Sequence, residues 1–173
     1  MTSNATLRKT APHLVQGDPA LREHALHALK GDGAHLEFDA AVKDIPSALQ
    51  GKKPKGAAHT PWQVLEHLRI AQADILGYLR DSAHQSPEFP SGYWPATEAP
   101  PDEKSWNKSA EAFRADLNAL VEMATDQSTD LLATLHGLEE QTILRKLLML
   151  ADHNSYHLGE LVVLRRALDA WPE

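Results

Sequence analysis

The segment ADHNSYHLGE, residues 151–160, carries two histidines four positions apart within a long stretch that predicts helix. Positions i and i+4 of a helix lie one above the other on the same face, because each turn takes about 3.6 residues. His153 and His157 can therefore ligate one metal ion together, as any H-x-x-x-H pair on a helix can. Two ligands are not enough for tight binding, so a third must come from elsewhere in the chain.

Composition limits what that third ligand can be. The 173 residues suffice for one domain with a substantial core, and they include no cysteine. This excludes a disulfide framework, a thiolate metal site and a cysteine nucleophile, so a metal ion would have to be held by His, Asp or Glu. The count of 10 histidines is high, which suits a functional use but also makes chance pairs more frequent.

Charge and hydropathy argue against several classes of partner. The formal net charge of −7 argues against nucleic acid. No apolar run approaches the roughly 20 residues that span a bilayer, and the N-terminus lacks the apolar core of a signal peptide. We therefore expect a soluble cytoplasmic protein that acts on neither membranes nor nucleic acids.

The beginning of the chain predicts an arm and then a short helix. Residues 1–17 are polar and unpatterned, so we expect a flexible N-terminal arm and a single domain over 18–173. A proline opens a helical stretch over 20–30, which we interpret as an N-terminal helical extension. The glycines of GDG at 31–33 end it.

A second helical run is predicted to follow and to end at Pro46. Its stripe recurs at helical spacing and consists of His35, Phe38, Val42 and Ile45. We expect His35 to be a satisfied core or boundary residue rather than a ligand. The other histidines away from the long helices are expected at the surface: His13, His24, His27, His59, His84 and His136.

The sequence TPWQ at 60–63 has the form of a helix start. Its threonine can cap, its proline suits the first helical position, and its glutamine completes a capping box. The helix is predicted to run to about Arg80. His67 and Asp74 lie seven residues apart and fall on the same edge of its apolar stripe.

Residues 81–104 contain five prolines and predict a long loop. Loops of this length are uncommon in compact domains and are often lids or binding segments. Phe89, Tyr93 and Trp94 are the apolar groups that it could lay over a site. The alternative is a crossover that only covers the end of a helical bundle.

Two long helices are predicted after the loop. Ser105 or Ser109 can cap the first of them, and the second is expected from about Glu139 to Leu168. On the second helix the two histidines border the buried arc, as does Glu160 one turn after His157. Asn154 lies in the middle of the buried line, where an amide needs partners.

No alternating runs bounded by hairpin turns are present, so an α/β fold is not supported. The amphipathic helices instead predict an all-α fold. We expect a four-helix bundle with the N-terminal helical extension and a long loop between the second and third bundle helices.

These features together resemble the DinB/YfiT-like family of metalloenzymes, and the resemblance covers most of the chain from about residue 20. Three segments carry it: TPWQVLEH at 60–67, DHNSYHLG at 152–159 and LRR at 164–166. The family has one histidine on the second bundle helix and two on the fourth. These correspond to His67, His153 and His157, so the resemblance implies a DinB-like helical bundle domain with a three-histidine metal site.

The resemblance also implies a cofactor and partners. Known members hold a divalent metal ion, zinc or nickel, near one end of a central cleft, and many look like homodimers. Some are transferases or isomerases that depend on low-molecular-weight thiols such as bacillithiol or mycothiol. We therefore expect a homodimer that takes a small-molecule substrate, with a low-molecular-weight thiol as one candidate. Three imidazoles would leave one position of a tetrahedral zinc ion open, the usual arrangement of a catalytic site.

Two carboxylates are candidates to support these ligands. Asp74 and Glu160 share the helix edges of His67 and His157, and carboxylates commonly orient metal-bound histidines. Glu160 has two alternative roles, as a general base or as a fourth ligand.

The leading hypothesis is a metal-dependent transferase or hydrolase. A non-catalytic binding or scaffold module that keeps its metal for stability is the alternative. A third hypothesis is a bundle whose histidines only pack and form hydrogen bonds.

Overall fold

The computed structural model describes residues 19–31, 33–135 and 138–171, and of 138–140 it describes only the backbone. The predicted flexible arm, residues 1–17, lies outside the described residues, as do His13 and His136. In chain order the elements are α1 (Pro19–Lys30), α2 (Phe38–Val42), α3 (Ser47–Gln50), α4 (Pro61–Arg80), α5 (Ser105–Thr125), β1 (Thr134–Leu135), β2 (Leu138–Thr142) and α6 (Ile143–Ala167), with a 3-10 turn at Ser91–Tyr93. The predicted all-α fold class is confirmed.

The four longer helices pack against one another. Helix α4 contacts both α5 and α6, and α1 contacts the same two helices. The stretch that we interpreted as an N-terminal extension is therefore an integral part of the helical packing. Among the described residues, no helix combines the length and the apolarity that crossing a bilayer requires.

The core consists of two apolar clusters, one toward each end of the long helices. The first includes Trp62, Leu65 and Leu68 of α4 together with the last turns of α6. The second joins α1 to the end of α4, the end of α5 and the first turns of α6. The middle of α6, which carries both of its candidate ligands, lies between the two clusters.

The start of α4 is the predicted one. The backbone N–H of Gln63 donates to Oγ1 of Thr60 at 3.2 Å, and the N–H of Thr60 donates to Oε1 of Gln63 at 3.0 Å. This reciprocal pair is a capping box, so the prediction is confirmed. Thr60 Oγ1 also donates to the carbonyl of Glu98 at 2.6 Å, which ties the end of the long loop to the start of the helix.

The helical run predicted to end at Pro46 is wrong in extent. Only Phe38–Val42 forms a helix there, and α3 begins after the proline. The helix ends at Val42 because Lys43 has extended backbone with a ψ of 140°, and Asp44 then has a φ of +57°. The proline then disfavours helical backbone at the residue before it.

Two other predicted helix starts are also corrected. Helix α6 begins at Ile143 rather than near Glu139, because residues 138–142 pair with β1 in a short antiparallel hairpin. Ser105 is the first residue of α5 rather than its cap. Ser109 lies inside α5, where its hydroxyl donates to Glu66 of α4.

Two buried arginines fasten connecting segments to the helices. Arg22 of α1 donates to the carbonyls of Ala124, Asp126 and Thr129, at 2.6 to 2.9 Å, which holds the turn after α5. Arg165 of α6 is 1% exposed and donates to backbone carbonyls at Ala40, Ala41 and Ala170. Both side chains thus supply hydrogen-bond donors to backbone carbonyls of neighbouring segments.

Candidate metal centre

The structure brings together three histidines from two helices. Nε2 of His67 on α4 lies 3.0 Å from Nε2 of His153 and 3.1 Å from Nε2 of His157, both on α6. The ligand atoms of all three rings lie within 4.8 Å of one another. A third histidine that could complete a metal site with the helical pair therefore lies about two turns into α4.

The outer nitrogens of two rings fix their tautomers. Nδ1 of His67 lies 2.8 Å from the carbonyl oxygen of Tyr93, and Nδ1 of His157 lies 2.9 Å from Oε2 of Glu160. Carbonyl and carboxylate oxygens only accept, so each Nδ1 must donate a proton. In the neutral rings both Nε2 atoms then carry lone pairs, and these face each other. Two lone pairs that face each other do not form a hydrogen bond, so a proton or a metal ion between the nitrogens would stabilise this contact.

The electrostatics of the cluster favour uncharged imidazoles. Burial lowers the pKa of His67 by more than the hydrogen bond to the Tyr93 carbonyl raises it, and His157 adds to the lowering. Burial, together with the nearby His157 and His67, lowers the pKa of His153 to about 4. Both rings are therefore neutral at pH 7, which is the form that binds metal.

The three residues fit one divalent ion. Zinc–imidazole bonds are about 2.0–2.1 Å long, so two ligand nitrogens of a tetrahedral site lie about 3.4 Å apart. The separations of 3.0 and 3.1 Å from His67 are close to that value. The ligand atoms of the third pair, His153 and His157, lie within 4.8 Å of each other.

Glu160 lies on the outer side of His157, where its Oε2 accepts from Nδ1. Its second oxygen, Oε1, accepts from Nδ1 of His59 at 2.8 Å, so the carboxylate bridges two imidazoles. The hydrogen bond from His157 lowers the pKa of Glu160 more than burial raises it, and His59 lowers it further. Both oxygens are thus engaged, which fits an orienting role better than that of a free base or a ligand.

The long loop covers the cluster with an indole ring. Trp94 stacks on His67 with ring centres 4.0 Å apart and planes 3° from parallel, and on His59 at 3.9 Å and 18°. The indole thus lies between two imidazoles. Of the two interpretations of residues 81–104, the structure therefore favours a segment that contributes to the site.

Asp74 does not contact the histidine cluster directly. Its Oδ2 accepts from the hydroxyl of Tyr93 at 2.6 Å, and its Oδ1 accepts from Nε2 of His84 at 2.8 Å. Burial would raise the pKa of Asp74, but hydrogen bonds from Tyr93, Ser86 and His84 outweigh it and lower the pKa. Asp74 therefore anchors the loop residue whose carbonyl accepts from His67.

Two histidines expected at the surface belong to this region. The side chain of His59 is 29% exposed and that of His84 is 26% exposed, and each pairs with a carboxylate. The sequence offered no helical spacing for either, because both lie outside the helices. The one available signal was their closeness to the ends of α4, which carries His67.

The two polar residues on buried faces are satisfied. Asn154 is 5% exposed, and its Nδ2 donates to Oε1 of Gln72 at 3.1 Å; Gln72 in turn donates to the carbonyl of Phe113. His35 lies apart from the metal centre, with its ring nitrogens 2.9 Å from the carbonyl of Leu36 and 2.7 Å from the hydroxyl of Ser155. It is a boundary residue with partners, as predicted.

A cavity of about 610 Å³ opens beside the cluster, with His67 and His153 in its wall. Its size is typical of a small-molecule site. The lining is mainly apolar and consists of Ala71, Ile75, Tyr78, Phe89, Pro90, Tyr93, Trp94 and Met149, together with Asp74, Ser86 and Lys146.

Comparison with known proteins identifies the family. Residues 31–161 match the DinB superfamily, and this range holds all three clustered histidines, Glu160 and all the residues named around the cavity. Comparison with curated proteins and with solved structures gave no significant match. The match covers well over half of the chain, so this protein belongs to the DinB superfamily.

Proposed function

We propose that this protein is a metal-dependent enzyme that acts on a small molecule, by group transfer or hydrolysis, at a divalent ion held by His67, His153 and His157. One observation carries the proposal. The Nε2 atoms of three imidazoles converge beside a cavity, with that of His67 3.0 and 3.1 Å from the other two, an arrangement that a bound cation would stabilise.

The chain's own residues would hold and shield the ion. When bound, zinc or nickel supplies Lewis acidity, which favours the ionised form of a coordinated water or thiol. Glu160 and the carbonyl of Tyr93 keep the rings of His157 and His67 in the ligating tautomer. Trp94 covers one face of His67 and keeps water from that side.

The composition of the chain supports a nucleophile that arrives with a substrate. With no cysteine in the chain, a sulfur nucleophile would have to arrive with a substrate, which suits a low-molecular-weight thiol. The predicted homodimer likewise stays a proposal, to be tested by measuring the mass of the protein in solution.

Metal analysis of untagged protein tests the proposal. We expect one zinc or nickel ion per chain in the wild type after metal addition and gel filtration, and loss of stoichiometric binding in His67→Ala and His153→Ala. His24→Ala is the matched control, because His24 is exposed on α1. A wild-type protein that holds no stoichiometric metal under these conditions would refute the metal-dependent function.

A metal-stabilised, non-catalytic module is the second candidate. It is favoured by the placement of the ligands, because an ion at this site would join α4 to α6. In that case a chelator should lower the melting temperature, while a panel of thiols with electrophilic and hydrolysable substrates gives no turnover. Metal-dependent turnover that disappears in His153→Ala would exclude this candidate.

A further inference from the structure

The polar residues that line the cavity beside the candidate metal centre include histidines of the cluster and a lysine. His67 and His153 form the part of its wall that belongs to the histidine cluster. Lys146 also lines the cavity and lies on α6, seven residues before His153. This separation corresponds to about 10 Å along the helix axis. The wall between them is mainly aromatic and aliphatic.

Among the residues that the structure describes, Lys146 is the one cation in the cavity wall. It is half-buried, and its ammonium lies 5.5 Å from the centre of the Tyr78 ring, where it is attracted to the π face. Among the described side chains no carboxylate pairs with it. The carboxylate in the same cavity, Asp74, is already engaged by Tyr93 and His84.

The rim of the cavity exposes apolar surface. The side chain of Phe89 is 84% exposed and that of Met149 is 47% exposed, although both line the cavity. Exposed apolar groups at the edge of a concave site are typical of surfaces that a ligand covers. A purely polar substrate would leave them in water.

We infer that the cavity binds an amphipathic organic anion, with its anionic group at Lys146 and its apolar body along the wall toward His67 and His153. This inference rests on the proposed function, since it assigns the substrate class of the same centre. An apolar body about 10 Å long places the far end of the ligand at the cluster, where the reacting group would lie.

Calorimetric titration of the full chain with octane-1-sulfonate and with octan-1-ol tests the inference. The two probes share the apolar chain, and the sulfonate stays charged without competing strongly for the metal. We expect the wild type to bind the sulfonate about fivefold more tightly than the alcohol. This ratio is the upper part of the range that a partly exposed ion pair adds to affinity. Lys146→Met should abolish this preference, and Lys146→Arg should keep it.

Arg145→Met is the matched control, because Arg145 is the preceding residue of α6 and is exposed outside the cavity. It should leave the preference unchanged. Equal binding of the two probes to the wild type, binding of neither, or equal effects of Lys146→Met and Arg145→Met would overturn the inference.

The metal and the anion site can be tested separately. His153→Ala should lose the metal and keep the preference for the sulfonate. A protein that binds metal without this preference overturns only the substrate class, whereas a protein with the preference and no metal overturns only the proposed function.

Discussion

The bridging carboxylate of Glu160 should control metal affinity through His157. A glutamine at this position has one accepting oxygen and one donating nitrogen, so it can satisfy the Nδ1–H of His157 or of His59, but not both. If the amide nitrogen faces His157, the ring must accept at Nδ1 and protonate Nε2, which removes it as a ligand. If it faces His59, that ring changes tautomer and His157 keeps a weaker, uncharged partner.

The magnitude follows from this geometry. Loss of a partner that orients a metal-bound histidine typically lowers metal affinity 10- to 100-fold, or about 1.4–2.7 kcal/mol. Because Glu160→Gln can retain one of the two hydrogen bonds, we expect about tenfold weaker binding, with Glu160→Ala nearer the upper end. His59→Ala leaves the bond between Glu160 and His157 in place and should weaken binding less than either.

Competition with a chromophoric zinc chelator at pH 7 measures these affinities. Glu111→Gln is the control, because Glu111 is exposed on α5 away from the site. Thermal unfolding with excess chelator checks that the metal-free variants are folded. Equal affinities of Glu160→Gln and Glu111→Gln, or a larger loss in His59→Ala than in Glu160→Ala, would refute the proposed role of the bridge.

Three further changes test other parts of the structure. Burial would raise the pKa of Glu66, but hydrogen bonds from Arg69 and Ser109 outweigh it and lower the pKa below 4.5. The ionised carboxylate therefore stabilises the folded state above pH 4.5, and this contribution is lost as the pH falls through the lowered pKa. In urea unfolding, Glu66→Gln should therefore cost about 1–3 kcal/mol at pH 7, and this difference from the wild type should shrink below pH 4.5; a pH-independent difference would contradict it. Asn154→Leu should lower the free energy of unfolding of chelator-treated protein by about 1–3 kcal/mol, because it leaves Oε1 of Gln72 buried without a partner. Replacement of an exposed asparagine should have little effect on this free energy. Trp94→Ala should let a chelator remove the metal several-fold faster in stopped-flow measurements, and unchanged rates would show that the indole does not shield the centre.

The features that local sequence predicts are those that depend on one helix at a time. The capping box needs only residues 60–63, and the pairing of His153 with His157 needs only the helical repeat. The family resemblance supplied His67, because no rule within either helix relates its position to the pair on α6.

The features that sequence did not predict depend on tertiary contacts. The hairpin of β1 and β2 is only a few residues long, so its pattern was absorbed into the predicted start of α6. His59 gains its role from Trp94 and Glu160, which lie 35 and 101 residues away along the chain. Asp74 shares a helix edge with His67 as predicted, yet the fold directs it toward the loop through Tyr93.

The stacking of Trp94 on His67 gives the protein an internal optical reporter. Indole emission responds to its immediate neighbours, and this ring is in contact with one of the three imidazoles that would take up an ion. Zinc has a filled d shell, whereas nickel(II) does not and can quench a nearby excited state. Fluorescence of the wild type compared with Trp94→Phe would therefore follow ion uptake in real time and distinguish the two metals without any added label.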